Sequence, residues 1–298
     1  MSVAAGMIDH AEHRAAGVLW MLATMFCFIS LDTTMKFLLA AYPLVEVTWA
    51  RFFFATFFAA AIAGPNLPDA LRSRAPILQT ARSLILMVTT GVFNAGVKLL
   101  PLATATAIMF TTPILVTVLS IPILKEEVGT RRWIGVALGF LGALIVVRPG
   151  LGGLGFGALF LVIAALLNAN YQLLTRKVRI HDQPITSLLY TAATGAIVTS
   201  ALLPFDWQWP SASGWFLFAL SGLMGCLGHL CLIQAFRRAP ASVVAPFSYS
   251  SLVWASFYGW FIFAEWPDLW TWVGAALIIG SGLYIFHRER LKHHEEPT

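Results

Sequence analysis

Long apolar runs, each about as long as a membrane-crossing helix, alternate with short polar breaks along the whole chain. A helix needs about 20 apolar residues to cross the hydrocarbon layer of a bilayer. Turn-forming segments such as AGPNLPD, RPGLGG and PFDWQWPSAS separate the runs. The pattern predicts an all-α polytopic membrane protein with ten transmembrane helices. The predicted helices span residues 16–36, 44–63, 76–98, 102–124, 131–148, 156–175, 185–203, 214–236, 241–263 and 269–287.

Part of this pattern occurs twice, at a constant offset of 139 residues. Residues 101–148 align without gaps on residues 240–287. Because an odd number of spans separates the copies, they are expected to have opposite orientations in the membrane. This predicts two inverted five-helix repeats, residues 16–148 and 156–287, an architecture typical of secondary transporters. The paired markers are Pro101 with Pro240, Glu126 with Glu265, Trp133 with Trp272, and Gly135 with Gly274.

The composition agrees with a membrane location. Of the 298 residues, 58% are hydrophobic and 11% are charged, and the mean hydropathy is +0.78. Soluble domains carry about 25% charged residues, so this chain has too little polar surface for a water-soluble globule. The N-terminal segment lacks the features of a signal peptide, and the first run is expected to be a retained helix. Cys27, Cys226 and Cys231 lie inside apolar runs and are expected to be packing residues.

Lysine and arginine residues are distributed unevenly between alternate breaks. If both termini are cytoplasmic, 15 of the 19 basic residues lie on the cytoplasmic side, 3 lie outside, and Arg51 lies within the second run. The 15 include Arg82, counted with the cations that flank the spans. Because positive charge accumulates on the cytoplasmic side, the count predicts a bacterial inner-membrane protein with cytoplasmic termini. Glu126 is then expected inside and Glu265 outside.

The two copies resemble the EamA-type domain of the drug/metabolite transporter superfamily. The resemblance covers about residues 15–287 and rests on the ten spans, the two halves and the paired markers. Segments such as RRWIGVALGFLGALIVVRPG and RRAPASVVAPFSYSSLVWASFYGWF are similar to bacterial S-adenosylmethionine uptake carriers and, more distantly, to animal organic-anion carriers. The resemblance implies transport of a small metabolite, but the fold alone does not choose the substrate.

Charged side chains inside the spans are candidates for a cavity, because each costs about 2.5–3.5 kcal/mol to insert. Asp32 and Lys36 are four residues apart and share one face of the first helix. Arg51 is expected at a similar depth on the second helix, so that it can pair with Asp32. Such a pair is either purely structural or part of a substrate-facing gate. Glu46, near the outer interface, is expected to be solvated.

Polar groups of the third and sixth helices are further candidates. Asn94 and Lys98 share a face of the third helix. Lys98 either snorkels to the outer surface or contributes charge to the cavity. The sixth helix has the most polar patch of any span, which we interpret as a cavity lining, with helix-to-helix hydrogen bonds as the alternative. The patch contains Asn168, Tyr171, Gln172 and Thr175.

The eighth and ninth helices carry the remaining candidates. His229 has a side chain that ordinarily titrates near neutral pH, although packing also explains a single membrane histidine. Pro246 is expected to kink the ninth helix, and residues 111–113 occupy the corresponding region of the first copy. Matched kinks in two repeats indicate a binding site. Near the kink lie Tyr249, Ser250 and Trp254, whose aromatic rings suit a planar or cationic ligand, or packing.

These features predict a secondary active transporter that moves a small polar metabolite, zwitterionic or anionic, by alternating access. An amino acid, S-adenosylmethionine or an organic anion fits this description. The expected substrate-binding residues are Asn94, Asn168, Tyr171, Gln172, His229, Tyr249, Ser250 and Trp254. The expected charged residues of the outer cavity or gate are Asp32, Lys36, Arg51 and Lys98.

Two other classes of protein fit these features less well than a transporter. A non-transporting receptor or assembly subunit has no need of an inverted repeat with matched kinks. An intramembrane enzyme is disfavoured because the spans contain no HExxH, GxSxG or paired aspartates, so no catalytic residue, metal or cofactor is expected. The expected partners are the lipid bilayer and a small molecule, not nucleic acid. Gly135 and Gly139 suggest close helix packing, including a homodimer contact.

Overall fold

The part of the chain that the structure describes is helical and contains no strand. A computed structural model describes the backbone of residues 2–124, 130–148, 155–178, 181–239 and 241–295, and the side chains of somewhat fewer residues. Every predicted apolar run is occupied by helix. The helices are α1 (Ser2–Leu38), α2 (Leu44–Ala63), α3 (Leu67–Ala70), α4 (Pro76–Leu99), α5 (Leu102–Met109), α6 (Thr112–Leu124), α7 (Thr130–Val147), α8 (Gly155–Val178), α9 (Pro184–Leu202), α10 (Ala212–Arg238), α11 (Ala241–Val244), α12 (Ser250–Phe263) and α13 (Leu269–Glu295).

The length and surface of the helices confirm an all-α polytopic membrane protein. Seven segments of the described chain are long and apolar enough to cross a bilayer, and two shorter apolar helices, Trp133–Val147 and Leu269–Tyr284, accompany them. Large side chains such as Phe57 and Phe261 are 67% and 72% exposed. Exposing a large number of such side chains to water is unfavourable, whereas a bilayer accepts them.

The fourth and ninth predicted spans are both broken. α5 ends at Met109 and α6 begins at Thr112. Pro113 explains this break, because proline lacks an N–H and its ring displaces the carbonyl group four residues earlier. In the ninth span a 3₁₀ turn, Ala245–Tyr249, separates α11 from α12 and contains Pro246. The kinks expected from the two prolines are therefore present.

The two breaks meet each other in the folded chain. The Phe110 and Tyr249 rings lie edge to face, with centroids 5.1 Å apart. The two residues differ by 139 positions, which is the offset of the sequence repeat. The breaks of the two halves are therefore packed against each other.

α7 and α13 pack against each other in antiparallel directions. A Cβ added at Gly139 would lie 2.6 Å from Ser281 Oγ, and one added at Gly142 would lie 2.8 Å from Ile278 Cγ1. From the first contact to the second, the residue number on α7 rises by three and the residue number on α13 falls by three, as in antiparallel helices. The repeat offset of 139 residues relates Gly139 to Ile278 and Gly142 to Ser281, so the two contacts are equivalent to each other. The small residues thus bring α7 close to α13 within one chain.

Apart from the short α3 and α11, the other helices form a ring in which elements from the first and second halves of the chain alternate. Its order is α1, α10, α2, α9, α4, α8, α5 with α6, and α12, which packs again on α1. α7 and α13 lie beside α5 and α6. We call the end of the ring with residues 39–43, 203–211 and 264–268 the outer end, and the end with residues 64–75 and 181–183 the inner end, following the charge count.

Candidate functional site

Asp32 of α1 and Arg51 of α2 lie close together inside the ring. Each is partly exposed, and their charges interact electrostatically. Among the described residues they form no direct ion pair. Arg51 donates one hydrogen bond, to Thr90 Oγ1 at 3.1 Å. The predicted neighbours are thus brought together, but both charged groups keep free bonding capacity.

His229 and Tyr171 connect this pair to a second arginine. The His229 ring packs edge to face on Phe28 of α1, with centroids 5.1 Å apart, and interacts electrostatically with Arg51 and Arg82. The Tyr171 hydroxyl accepts a hydrogen bond from Arg82 at 2.9 Å and also interacts electrostatically with Arg51. We call Asp32, Arg51, Tyr171 and His229 the central cluster.

Arg82 is enclosed nearer the inner end, where α4, α8 and α9 meet. Its side chain is 1% exposed, so its inclusion among the cations flanking the spans is wrong. Arg82 lies over the Tyr171 ring at 5.0 Å from its centroid. Its Nη atoms also donate hydrogen bonds to Thr175 Oγ1 (3.3 Å), Gln79 Oε1 (3.1 Å), the Ser187 carbonyl (2.7 Å) and Thr191 Oγ1 (2.7 Å).

The hydrogen bonds around Arg82 continue to Asp182, in the connection before α9. Gln79 Nε2 donates to Asp182 at 2.9 Å, and the Arg74 backbone N–H donates to it at 2.8 Å. Burial raises the pKa of the Asp182 carboxyl, but hydrogen bonds from Ser73, Arg74 and Gln79 outweigh this effect, so the pKa lies below its ordinary value. The network joins α4 to elements of the second half at the inner end.

A cleft of about 1080 Å³ opens at the inner end beside this network. It lies between α2, α3, the start of α9 and the last turns of α10. Among the α10 residues that line the cleft, Leu230 lies farthest from the inner end, and it directly follows His229 in the sequence. Arg72, Arg74 and Arg237 line the cleft, together with Asp182.

At the outer end, Lys36 joins three separate segments. Its Nζ atom donates to Glu265 Oε2 at 2.6 Å and to the Leu100 carbonyl at 2.8 Å. Lys36 also lies over the Phe263 ring, 5.0 Å from the centroid. Glu265, one of the paired repeat markers, thus binds one of the predicted gate residues. Its repeat partner Glu126 lies outside the described residues.

A second part of the outer end is closed by aromatic side chains. Trp49, Trp207, Trp215 and Phe218 form a chain of ring contacts with centroids 5.7–6.1 Å apart. Glu46 is 0% exposed beneath them and accepts a hydrogen bond from the Gln208 backbone N–H. The prediction that Glu46 is solvated is therefore wrong, because the connection between α9 and α10 covers it.

The other predicted residues of the third and sixth helices have different environments. Asn94 is 1% exposed and donates to Thr48 Oγ1 of α2 at 3.1 Å. Lys98, one turn further, is exposed at the outer end. Of the polar patch on α8, Tyr171 and Thr175 bind Arg82, whereas Asn168 is partly buried and Gln172 is exposed.

The candidates of the ninth span lie apart from the central cluster. The Tyr249 hydroxyl is 2.0 Å from a Cβ placed on Gly282, so Tyr249 packs against α13 as well as Phe110. Ser250 Oγ is buried with no hydrogen-bond partner among the described residues. Trp254 contacts Phe26, with ring centroids 5.2 Å apart. Phe26 and Phe28 are about 200° apart around α1, so Trp254 and His229 approach nearly opposite faces of it.

In the described part of the chain, no group of three or more His, Cys, Asp or Glu side chains is arranged to hold a metal. Cys27 and Cys231 are buried and lie close together, between α1 and α10. The residues that sequence analysis missed are Arg82, Gln79 and Glu46. The signal for the first two was present, because Gln79, Arg82 and Ser83 are polar residues at helical spacing inside an apolar run.

Comparison with known proteins gives a match to one family model. The model is described as the EamA-like transporter family and matches residues 15–148 and 155–286. A solved crystal structure with 19% sequence identity aligns with a TM-score of 0.61, over 88% of this chain and 95% of that chain.

Two curated relatives match nearly full-length. The S-adenosylmethionine uptake transporter of Rickettsia felis is 28% identical over 284 residues, covering 95% of this chain and 97% of that protein. The riboflavin transporter of Rhizobium johnstonii is 28% identical over 294 residues, covering 96% of each. The riboflavin transporter of Vibrio cholerae is 32% identical over 197 residues, covering 66% of each chain.

Proposed function

Since the chain belongs to the EamA-like transporter family and is a multi-pass membrane transporter rather than an enzyme, we propose that its cargo is a zwitterionic metabolite. The observation that carries this proposal is the placement of Asp32 and Arg51. Their opposite charges lie within electrostatic range, are partly exposed and form no direct ion pair. A substrate with an amino group and a carboxylate would pair with both side chains at once.

The chemistry of the site favours S-adenosylmethionine over riboflavin as the first candidate. S-adenosylmethionine carries an amino group, a carboxylate and a sulfonium cation, and a relative is named for its uptake. Riboflavin has neither an amine nor a carboxylate to pair with Asp32 and Arg51. It is the second candidate, because another relative of equal identity is named for its transport.

We further propose alternating access, with residues 16–148 and 156–287 as the two moving repeats. In support, Lys36 with Glu265 and Glu46 with Gln208 join the two halves at the outer end. The cleft of about 1080 Å³ lies at the inner end. This arrangement is the one expected of an inward-facing state, with the orientation taken from the charge count. We place the protein in a bacterial inner membrane with both termini cytoplasmic, which reporter fusions to each terminus can check.

Uptake into proteoliposomes tests the substrate. Purified protein is expected to accumulate or exchange radiolabelled S-adenosylmethionine, whereas empty liposomes do not. Asp32→Asn and Arg51→Gln are each expected to abolish this flux. The matched control is Lys98→Gln, which removes a charge from an exposed position at the outer end and should leave flux intact.

The alternatives give different results in the same assay. Riboflavin flux that does not depend on Asp32 would identify riboflavin, and not a zwitterion, as the cargo. Correctly folded protein without flux for any metabolite would contradict the transporter and favour a receptor or assembly subunit.

A cross-link between native cysteines tests the movement. Cys27 and Cys231 join α1 of the first half to α10 of the second. If these helices separate during transport, oxidation to a disulfide should arrest flux, and a reductant should restore it. Cys27→Ser is the control that cannot cross-link. Full flux in the cross-linked protein would exclude movement between α1 and α10.

A further inference from the structure

Glu46 is a fully buried acid for which the described residues supply no cationic partner. The residue is 0% exposed, in the first turn of α2. Its Oε2 atom accepts a hydrogen bond of 3.1 Å from the Gln208 backbone N–H. Its Oε1 atom is buried and receives no hydrogen bond from any described residue.

The surroundings of Glu46 make a negative charge there unfavourable. Val47, Trp49 and Phe218 belong to the hydrophobic cluster at this end, which is covered by Trp207 and Trp215. Asp206, from the connection between α9 and α10, repels a carboxylate at Glu46.

None of the other titratable or cationic groups in the described elements around Glu46 forms an ion pair with it. From α4, which packs against α2, Lys98 is exposed at the outer end. From the connection between α1 and α2, the Tyr42 hydroxyl bonds with Ser211. From α1, Lys36 is paired with Glu265. On α2 itself, Arg51 is five residues away, about 140° around the helix. From the start of α10, the helix residues Trp215 and Phe218 that pack here carry no charge.

We propose that Glu46 is a proton-binding site that controls closure of the outer end. Taking an unpaired carboxylate into such a cluster costs far more free energy than taking in a neutral carboxylic acid. When the outer end closes, Glu46 takes one proton from outer water, forming an O–H bond. When that end opens, the bond breaks and the proton returns to outer water.

The hydrogen bond to Gln208 makes the proton relevant to movement. Glu46 belongs to α2 of the first half, whereas Gln208 lies between α9 and α10 of the second half. Opening the outer end separates these partners and hydrates the carboxyl, which can then ionise. Acid outside should therefore favour the closed outer end, and alkali the open one, with one proton bound per closure. The inference rests on the alternating access proposed above.

Distance measurements between spin labels test the linkage to pH. Labels at Ala41→Cys and Ser213→Cys, in a chain lacking the three native cysteines, report on the two sides of the outer end, where both residues are exposed. In the Glu46-containing chain we expect a short distance in acid that gives way to a longer one as pH rises. Glu46→Gln should keep the short distance throughout, because the amide mimics the neutral acid. Asp69→Asn, which removes an exposed carboxylate at the inner end, should keep the pH response.

Two outcomes would overturn the proposal: no pH response in the Glu46-containing chain, or the same response in Glu46→Gln. Infrared spectroscopy of the unaltered protein detects the proton without any transport assay. A carbonyl band of a neutral carboxylic acid should be present at neutral pH, persist in Asp32→Asn and vanish in Glu46→Gln. Absence of that band contradicts the proton site even if uptake is observed. Its presence supports the site even if no substrate is transported.

Discussion

Arg51 and Arg82 are both arginines inside apolar spans, but they have opposite environments. Arg82 is 1% exposed and donates hydrogen bonds to groups on α4, α8 and α9. Arg51 is partly exposed and donates one hydrogen bond, to Thr90, while Asp32 lies within electrostatic range.

The difference indicates separate roles for the two charges. The Nη donors of Arg82 are used by the protein itself, and only its Nε atom is buried without a partner among the described residues. The main effect of Arg82 is therefore to hold α4 against α8 and α9 at the inner end. Arg51 has donors that the described residues leave unused, as a site for an external carboxylate requires. A buried guanidinium is therefore not in itself a sign of a binding site, and the bonds it already makes decide the interpretation.

Removing Arg82 should give the largest effect on stability. Arg82→Ala removes the hydrogen bonds to Ser187 and Thr191 and leaves the buried Gln79 Oε1 atom without its donor, so it should lower the free energy of unfolding by about 3 kcal/mol. Unfolding with SDS in mixed micelles measures the change. Arg72→Ala is the control, because Arg72 is 82% exposed in its pair with Asp69 and should cost less than about 0.5 kcal/mol. Equal losses in the two variants would contradict a structural role for Arg82.

Removing Arg51 should instead affect ligand binding. Arg51→Gln loses one hydrogen bond within the protein and should change the free energy of unfolding by less than about 1 kcal/mol. The loss of a charged contact to substrate corresponds to about 10- to 100-fold weaker binding. Ligand-induced thermal shifts measure this, with Lys98→Gln as the matched charge control. Unchanged binding in Arg51→Gln would place the substrate elsewhere.

Lys36 at the outer end provides an intermediate case. Its side chain is 9% exposed and that of Glu265 is 30% exposed. A double-mutant cycle with Lys36→Met and Glu265→Gln should give a coupling of about 1 kcal/mol in the free energy of unfolding. Purely additive losses would mean that the ion pair does not hold the outer end.

Asp182 should give the smallest effect, confined to acid. Its pKa in the folded protein is below its ordinary value, which is about 3.9, so its hydrogen bonds stabilise the fold at higher pH. This stabilisation is lost as pH falls from the ordinary value through the folded one. As the pH is lowered from 6 towards 3, the unfolding temperature should therefore fall less steeply in Asp182→Asn than in the parent chain. Asp69→Asn, at an exposed position, should leave the slope unchanged, and an unchanged slope in Asp182→Asn would refute the linkage.

The spans were well predicted because their determinants are local. The length of each apolar run, compared with the thickness of a bilayer, predicted ten helical segments, and all ten runs contain helix. Pro113 and Pro246 marked the two breaks. The approach of Asp32 to Arg51 was also predicted, because both lie a similar distance from one short connection. The burial of Glu46 was not predicted, because the group that covers it comes from residues 203–211, far along the chain.

The sequence by itself determined where the helical segments lie, where two of them break and which residues of the two halves correspond, because helix length, proline and residue offset are properties of the chain. Tertiary structure decided which polar side chains are already satisfied. Arg82 and Arg51 look alike in the sequence, yet the partners of Arg82 come from helices about 90 to 110 residues away. Only the packing of α4 against α8 and α9 brings those partners together, and only their presence separates a structural charge from one free to bind substrate.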